Sequence, residues 1–168
     1  MPEKFRRHFL KSKEAEALLN KASEKLAALK QIAKAKVDVE LIQTEFAEIY
    51  LIKGKPILAK LGENVFPTLV FTDFLASLPK VFIDMGAIPH VCNGANVMAP
   101  GIIRFEGEFK EGDFVLVADG KHGKPIAIGE IIYDSDVAKN VKHGVVVRNV
   151  HFVGDRIWDF IKRFETKA

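Results

Sequence analysis

The chain has 168 residues, 48% of them hydrophobic and 28% charged, with a net charge of +3 and a single cysteine. This composition excludes an intrinsically disordered chain and an internal disulfide, and the length suits one large domain or two of roughly 80–90 residues. The longest apolar stretch, Val65 to Leu78, is interrupted by Pro67, Thr68, Thr72 and Asp73 and is too short and polar to cross about 30 Å of hydrocarbon. The first residues lack the basic-then-apolar pattern of a signal peptide, so a cytoplasmic protein without membrane association is expected.

Charge is unevenly spread. Residues 1–78 hold 13 Lys/Arg against 10 Asp/Glu, whereas residues 79–168 hold 12 of each. Much of the excess lies at the start, where Lys4, Arg6, Arg7, Lys11 and Lys13 are opposed only by Glu3. Such a basic arm suits an anionic partner such as RNA, and it equally describes a solvated terminus.

In chain order, Phe5 to Leu10 reads as a strand, and Ser12 offers a hydroxyl to cap the helix that follows. Ala15, Leu18, Leu19, Ala22, Leu26, Leu29 and Ala33 recur at helical spacing, predicting one amphipathic helix. From Lys36 the period falls to two through Val37, Val39 and Leu41, and Ile49 to Ile52 continues in β-rich residues. Lys53, Gly54, Lys55 and Pro56 form a turn into Ile57 to Leu61, giving a hairpin. Pro67 is expected to open a helix through Leu69, Phe71, Phe74 and Leu75 that stops before Pro79.

After Pro79 six short strands are expected: Lys80–Ile83, Ile102–Phe105, Phe114–Ala118, Pro125–Ile132, Gly144–His151 and Arg156–Ile161. Asp134, Ser135 and Asp136 precede a short helix, Val137 to Val141. The pattern predicts an α+β domain over residues 1–78 and a mainly β small barrel over residues 79–168.

Catalytic chemistry has no anchor in this sequence. Histidines 8, 90, 122, 143 and 151 stand apart, with no HExxH and no Cys/His pairing, so no metal site is expected. Gly120 to Lys124 lacks the Walker A spacing and reads as a hairpin tip. Cys92, beside Val91, reads as a buried small residue rather than a nucleophile. Neither a catalytic residue nor a cofactor is expected.

The most distinctive stretch is Asp84 to Gly101, DMGAIPHVCNGANVMAPG. Gly94 is placed to take the left-handed conformation that ends a short helix, and Gly101 to allow a sharp approach to the next strand. Small residues here would leave backbone N–H groups open as a phosphate-binding concavity, and they serve a plain helix-to-strand turn equally well.

This stretch, the run of short strands and the ending GVVVRNVHFVGDRIW resemble the PUA domain of pseudouridine synthases and archaeosine transglycosylases. With FPTL at Phe66–Leu69, GAI at Gly86–Ile88 and GAN-V-M-x-PG at Gly94–Gly101, the chain resembles the multiple-copies-in-T-cell-lymphoma translation factor family and its archaeal relatives. In that family a pre-PUA domain precedes a PUA pseudo-barrel. The resemblance implies RNA binding in translation, by contact with tRNA or small-subunit rRNA in initiation, re-initiation or recycling. It also implies a translation-factor protein partner docking on the pre-PUA domain. The resemblance implies that the family's RNA-facing helix and glycine loop fall on Gly86 to Asn93 and Gly94 to Gly101, with the final strand around Arg156 and Trp158 nearby. That gives Gly86, Gly94, Ala95, Asn96, Met98, Pro100, Gly101 and Arg156 as candidates; His90 reads as a phosphate contact or an ordinary exposed helix residue, and Arg104 as a phosphate contact or a solvated strand charge. Trp158 reads either as a base-stacking platform or as a core residue of the last strand, the latter being commoner. Because residues 79–168 are neutral overall, RNA binding there requires a local patch. An accessory RNA-modification subunit and a protein-interaction module that has lost RNA binding use the same fold.

Overall fold

The computed structural model describes residues 4–167, apart from the side chains of Asp73, Thr166 and Lys167. Residues 1–3, including Glu3, and residue 168 of the expected domains lie outside the described residues. The chain divides into two compact units, Met1–Phe71 and Thr72–Ala168.

The first unit is an antiparallel sheet in the order β1-β2-β3-β4-β5, formed by Arg6–Phe9, Val39–Gln43, Glu48–Ile52, Lys55–Leu61 and Asn64–Pro67, with helices α1 (Ser12–Ser23) and α2 (Leu29–Lys34). The β3–β4 turn is two residues long: Ile52 pairs with Lys55, and Lys53 and Gly54 both take positive φ, 54° and 78°. That is the mirror-image turn whose twist matches the flanking strands.

Three expectations are corrected in this unit. Lys11, rather than Ser12, occupies the α1 cap, and the helix start is held by the Glu14 carboxylate accepting the Lys11 N–H at 3.2 Å. The single helix expected through Ala33 is two. After Ser23 the backbone tightens, with the N–H groups of Glu24 and Lys25 donating three residues back, while the Ser23 hydroxyl donates to the Asn20 carbonyl. Leu26 and Leu29 remain buried across that break, so the apolar spacing survives it. Pro67 ends a strand instead of opening a helix. It pairs with Leu58, and the next residue, fully buried Thr68, donates its N–H to Ile57 and its hydroxyl to the Pro56 carbonyl at 2.6 Å. These bonds keep the chain extended, and α3 begins only at Thr72 (Thr72–Leu75).

The second unit is a six-stranded curled sheet in the order β7-β11-β10-β9-β6-β8. Its strands are β6 Lys80–Ile83, β7 Val97–Met98, β8 Ile102–Glu106, β9 Phe114–Asp119, β10 Pro125–Ile131 and β11 Val145–Phe152. All neighbours are antiparallel except β6 and β9, which run parallel with Ile83 opposite Asp119. Val81, Ile83, Val115, Val117, Ile131 and Val147 fill the core. This is the expected pre-PUA and pseudo-barrel architecture, with two short helices, α4 (Ile88–Val91) and α5 (Ser135–Ala138), outside the sheet.

The last expected strand is a helix, α6, Arg156–Lys167. Ile157, Phe160 and Ile161 are buried at helical spacing, and Asp155 caps the first turn by accepting the Trp158 N–H at 2.7 Å. Trp158 is therefore a half-buried helix residue, with the Lys162 ammonium 5.4 Å from its ring centroid. The short helix expected at Val137–Val141 begins earlier, at Ser135, and Asp134 turns its carboxylate to the Glu111 N–H at 2.8 Å. Among the described residues no helix is long and apolar enough to cross a membrane, and no cluster of His, Cys, Asp or Glu is arranged to hold a metal.

Candidate nucleic-acid interface

The segment 84–101 leaves β6, passes through α4 and rejoins the far edge of the sheet as β7 before β8, and its ends are tied together where the Asp84 N–H donates to the Gly101 carbonyl at 3.0 Å. Asp84 also accepts the Ala87 N–H on its side chain at 2.8 Å, which starts α4. Gly94 ends that helix with φ 95°, as expected, donating to the Val91 carbonyl, while the Ala95 N–H donates to His90. At Gly101 the backbone φ is outside the left-handed region, and a Cβ there would sit 3.1 Å from the Ala87 Cβ, a tight contact. Small side chains let the two ends of the segment touch.

The segment is fastened to β11 by Asn149. Its side-chain amide donates to the carbonyls of Val91 at 3.0 Å and Ala95 at 2.9 Å, and its backbone N–H donates to the Asn96 side chain at 2.9 Å. The Asn149 amide oxygen is buried and has no hydrogen-bond partner among the described residues. Burying it unpaired costs about 1–3 kcal/mol, offset by two bonds that fix the loop.

Of the two readings of the segment, the helix-to-strand turn is the one formed, and an open N–H concavity is not. The N–H groups of Asn93, Gly94, Ala95 and Ala99 are already donated within the unit, to His90, Val91, His90 and Gly144. What the segment presents is a surface fixed by these bonds, on which Gly86, His90, Gly94, Ala95, Asn96, Met98 and Pro100 are all exposed. Arg104 lies close by on β8, its guanidinium 3.9 Å from the Phe82 ring centroid and 3.5 Å from the Gly120 carbonyl. A cleft of about 320 Å³ runs past Ala99, Ile102, Arg104 and Lys139. Arg156 is exposed on the first turn of α6. Cys92 is half-buried, and burial raises its thiol pKa, which works against a thiolate nucleophile.

The basic arm belongs to the other unit: Arg6 and Arg7 lie on β1, Lys4 precedes it, Lys11 is the cap of α1 and Lys13 is in its first turn. Lys4, Arg6, Lys11 and Lys13 are exposed. Arg7 is engaged, its guanidinium donating to both carboxylate oxygens of Glu40 at 2.6 and 2.9 Å. That bidentate bond raises the Arg7 pKa and lowers that of Glu40.

Sequence reasoning misses the roles of three features of this region. Asn149 and the Gly154–Asp155 pair act as clamp and helix cap; the second is legible as a glycine followed by an N-cap aspartate before apolar residues at helical spacing. The β9–β10 tip, which contributes Lys121, His122 and Lys124, reads in sequence only as a turn. Its position beside the segment depends on the parallel pairing of β6 and β9, which leaves no local signal.

Residues 79–153 match the PUA domain family, and residues 6–72 match a family described as a domain of unknown function, DUF1947. The chain is 37% identical to the uncharacterized protein MJ1432 of Methanocaldococcus jannaschii, over 92% of this chain and 96% of that one. It is 31% identical to Malignant T-cell-amplified sequence 1 of Danio rerio, over 77% and 75% of the two chains. It is 28% identical to translation machinery-associated protein 20 of Saccharomyces cerevisiae, over 74% of each. A hypothetical protein of Pyrococcus horikoshii, PH0734.1, superposes with a TM-score of 0.74 at 30% identity, covering 93% of this chain and 99% of that one.

Proposed function

The chain belongs to the family of PUA-domain proteins that includes Malignant T-cell-amplified sequence 1 and translation machinery-associated protein 20, and on that footing we propose that it is a non-catalytic RNA-binding protein of the cytoplasmic translation machinery. The observation that carries this reading is the glycine segment. It is exposed, rich in small residues and pinned at both ends and from β11, so an RNA backbone can approach it without the entropic cost of ordering a loop.

In this reading Gly86, His90, Gly94, Ala95, Asn96, Met98, Pro100 and Gly101 form the contact surface, with Arg104 and Arg156 supplying charge. Contacts to phosphate and sugar fix position without reading sequence. The segment's own N–H groups are largely spent, so affinity for phosphate comes from side chains. Arg6, Lys11 and Lys13 of the first unit supply a second, sequence-independent contribution. The RNA is tRNA or small-subunit rRNA, and the first unit docks a translation-factor protein. The functional boundary lies between residues 78 and 79.

The test is binding of the purified full chain to tRNA and to small ribosomal subunits, with mass analysis of the tRNA nucleosides afterwards. The reading expects saturable binding to at least one of them and unaltered nucleosides. Pseudouridine formed by the chain alone would overturn the non-catalytic assignment, and the absence of all RNA affinity at low salt would overturn the RNA reading.

A further inference from the structure

Residues 79–168 carry equal numbers of basic and acidic groups, and the glycine segment has few N–H groups to offer phosphate, so an RNA surface here needs positive charge from elsewhere. We propose that the tip of the β9–β10 hairpin is a second phosphate-contacting element of the RNA site, with Lys121 and Lys124 holding the backbone of RNA that crosses the glycine segment. This rests on the RNA-binding reading and adds to it a location for the charge.

Placement carries the first part of the argument. Because β6 and β9 are parallel, with Ile83 opposite Asp119, both strands leave the sheet at the same end. The Gly120 N–H donates to the Ile83 carbonyl at 2.9 Å, and the residue after Ile83 opens the glycine segment. Arg104 joins the two by reaching the Gly120 carbonyl.

The tip is also rigid. Asp119 is only 5% exposed, and its carboxylate accepts the Lys121 N–H at 2.7 Å. Its N–H donates to the Lys124 carbonyl and its carbonyl accepts the Gly123 N–H, at 2.9 and 2.8 Å. Gly120 has no room for a side chain, since a Cβ would lie 2.9 Å from the Ile83 carbonyl oxygen.

The Asp119 carboxylate is held below its ordinary pKa, chiefly by the Lys121 N–H, and is turned into the turn. Lys121, His122 and Lys124 are exposed; His122 and Lys124 also act on the Asp119 carboxylate by charge, while the solvent-exposed Lys121 has no side-chain hydrogen bond among the described residues. Lysine ammonium groups on a fixed turn act as point charges toward a phosphodiester and read no base.

The experiment measures binding of unmodified tRNA, and of an unrelated RNA hairpin, to the full chain across a salt series. The K121A/K124A variant is compared with wild type and with Ala95→Glu, all checked by thermal melting. Removing two phosphate-binding ammonium groups lowers the slope of log affinity against log salt by about 1.4–1.8 and weakens both RNAs alike. Unchanged slope and affinity in K121A/K124A, while Ala95→Glu abolishes binding, would overturn the hairpin site and leave the glycine segment standing. Weakening of one RNA only would also overturn it, because phosphate contacts do not discriminate. Wild-type protein that binds neither RNA would overturn the RNA reading itself, and the hairpin site with it.

Discussion

Asp155 holds His151 with one carboxylate oxygen, 2.7 Å from the imidazole Nδ1, while its other oxygen caps α6 through the Trp158 N–H. His151 is fully buried on β11, so this one carboxylate fastens the C-terminal helix to the sheet. Asp155→Ala removes a helix cap and a partner of a buried imidazole. It should lower stability by about 2–4 kcal/mol in urea denaturation. Asp155→Asn, which keeps a capping oxygen, should be less destabilising.

The same pair sets an acid limb. Burial works to raise the Asp155 pKa, but His151 and the N–H groups of Trp158 and Phe152 outweigh it and hold the value below the ordinary one. The unfolded chain thus takes up a proton where the folded one does not. The resulting stabilisation is complete above the unfolded value of about 3.9 and disappears as pH falls through the folded value. Asp155→Asn should be less sensitive to acid over that range, measured as melting temperature against pH. A parallel decline in both proteins would place the acid limb on another group.

Asn149→Ala should loosen the Val91–Ala95 end of the glycine segment, which the β7–β11 pairing still holds to the sheet at Val97–Met98, costing about 1–3 kcal/mol, and should weaken RNA binding by more than the reduced stability alone accounts for. Asn149→Asp should be worse, because it turns carboxylate oxygens toward the carbonyls of Val91 and Ala95. Amide hydrogen exchange of Ala95 and Asn96 is the readout, with protection reduced in both variants.

Arg7 and Arg6 should behave differently. Arg7 is committed to Glu40, so Arg7→Ala costs at most about 1 kcal/mol of stability and leaves the salt dependence of RNA binding nearly unchanged. Arg6→Ala should reduce that dependence, because it takes one guanidinium away from the phosphate backbone. Equal effects on the salt slope would mean that the strand contributes only net charge.

A fragment from Pro79 to Ala168 should fold alone, giving dispersed amide resonances and cooperative melting. A fragment from Thr72 tests the limit of the compact unit seen in the structure. If only the longer fragment folds, the segment with buried Phe74, Leu75 and Leu78 belongs to the PUA unit.

Much of the fold is legible in the sequence because period and turn chemistry are local. Strands such as Lys80–Ile83 and Phe114–Asp119 announce themselves by runs of β-rich residues, and Gly94 by its place after a short helix. Errors arise where distant partners decide. Pro67 reads as a helix start until Thr68 is seen bonded to β4, and the apolar residues from Ile157 to Ile161 suit either period until the Asp155 cap settles it. At the candidate site the exposed glycine segment is legible from composition. The spending of its N–H groups, the Asn149 clamp and the adjoining hairpin are not, because each depends on interactions between residues far apart in the chain.

The central claim, that RNA lies against the glycine segment, is tested most directly by reversing charge at one exposed position of ordinary backbone conformation. Ala95→Glu and Ala95→Arg differ in the sign of one side chain, and neither is strained by a positive φ. The measurement is the affinity of each full-length variant, matched in melting temperature, for tRNA and for small ribosomal subunits at low salt. With RNA at the segment, Ala95→Glu binds at least about tenfold more weakly than Ala95→Arg, a difference near 1.4 kcal/mol. Equal affinities in the two variants, both matching wild type, would contradict the claim and remove the segment from the site.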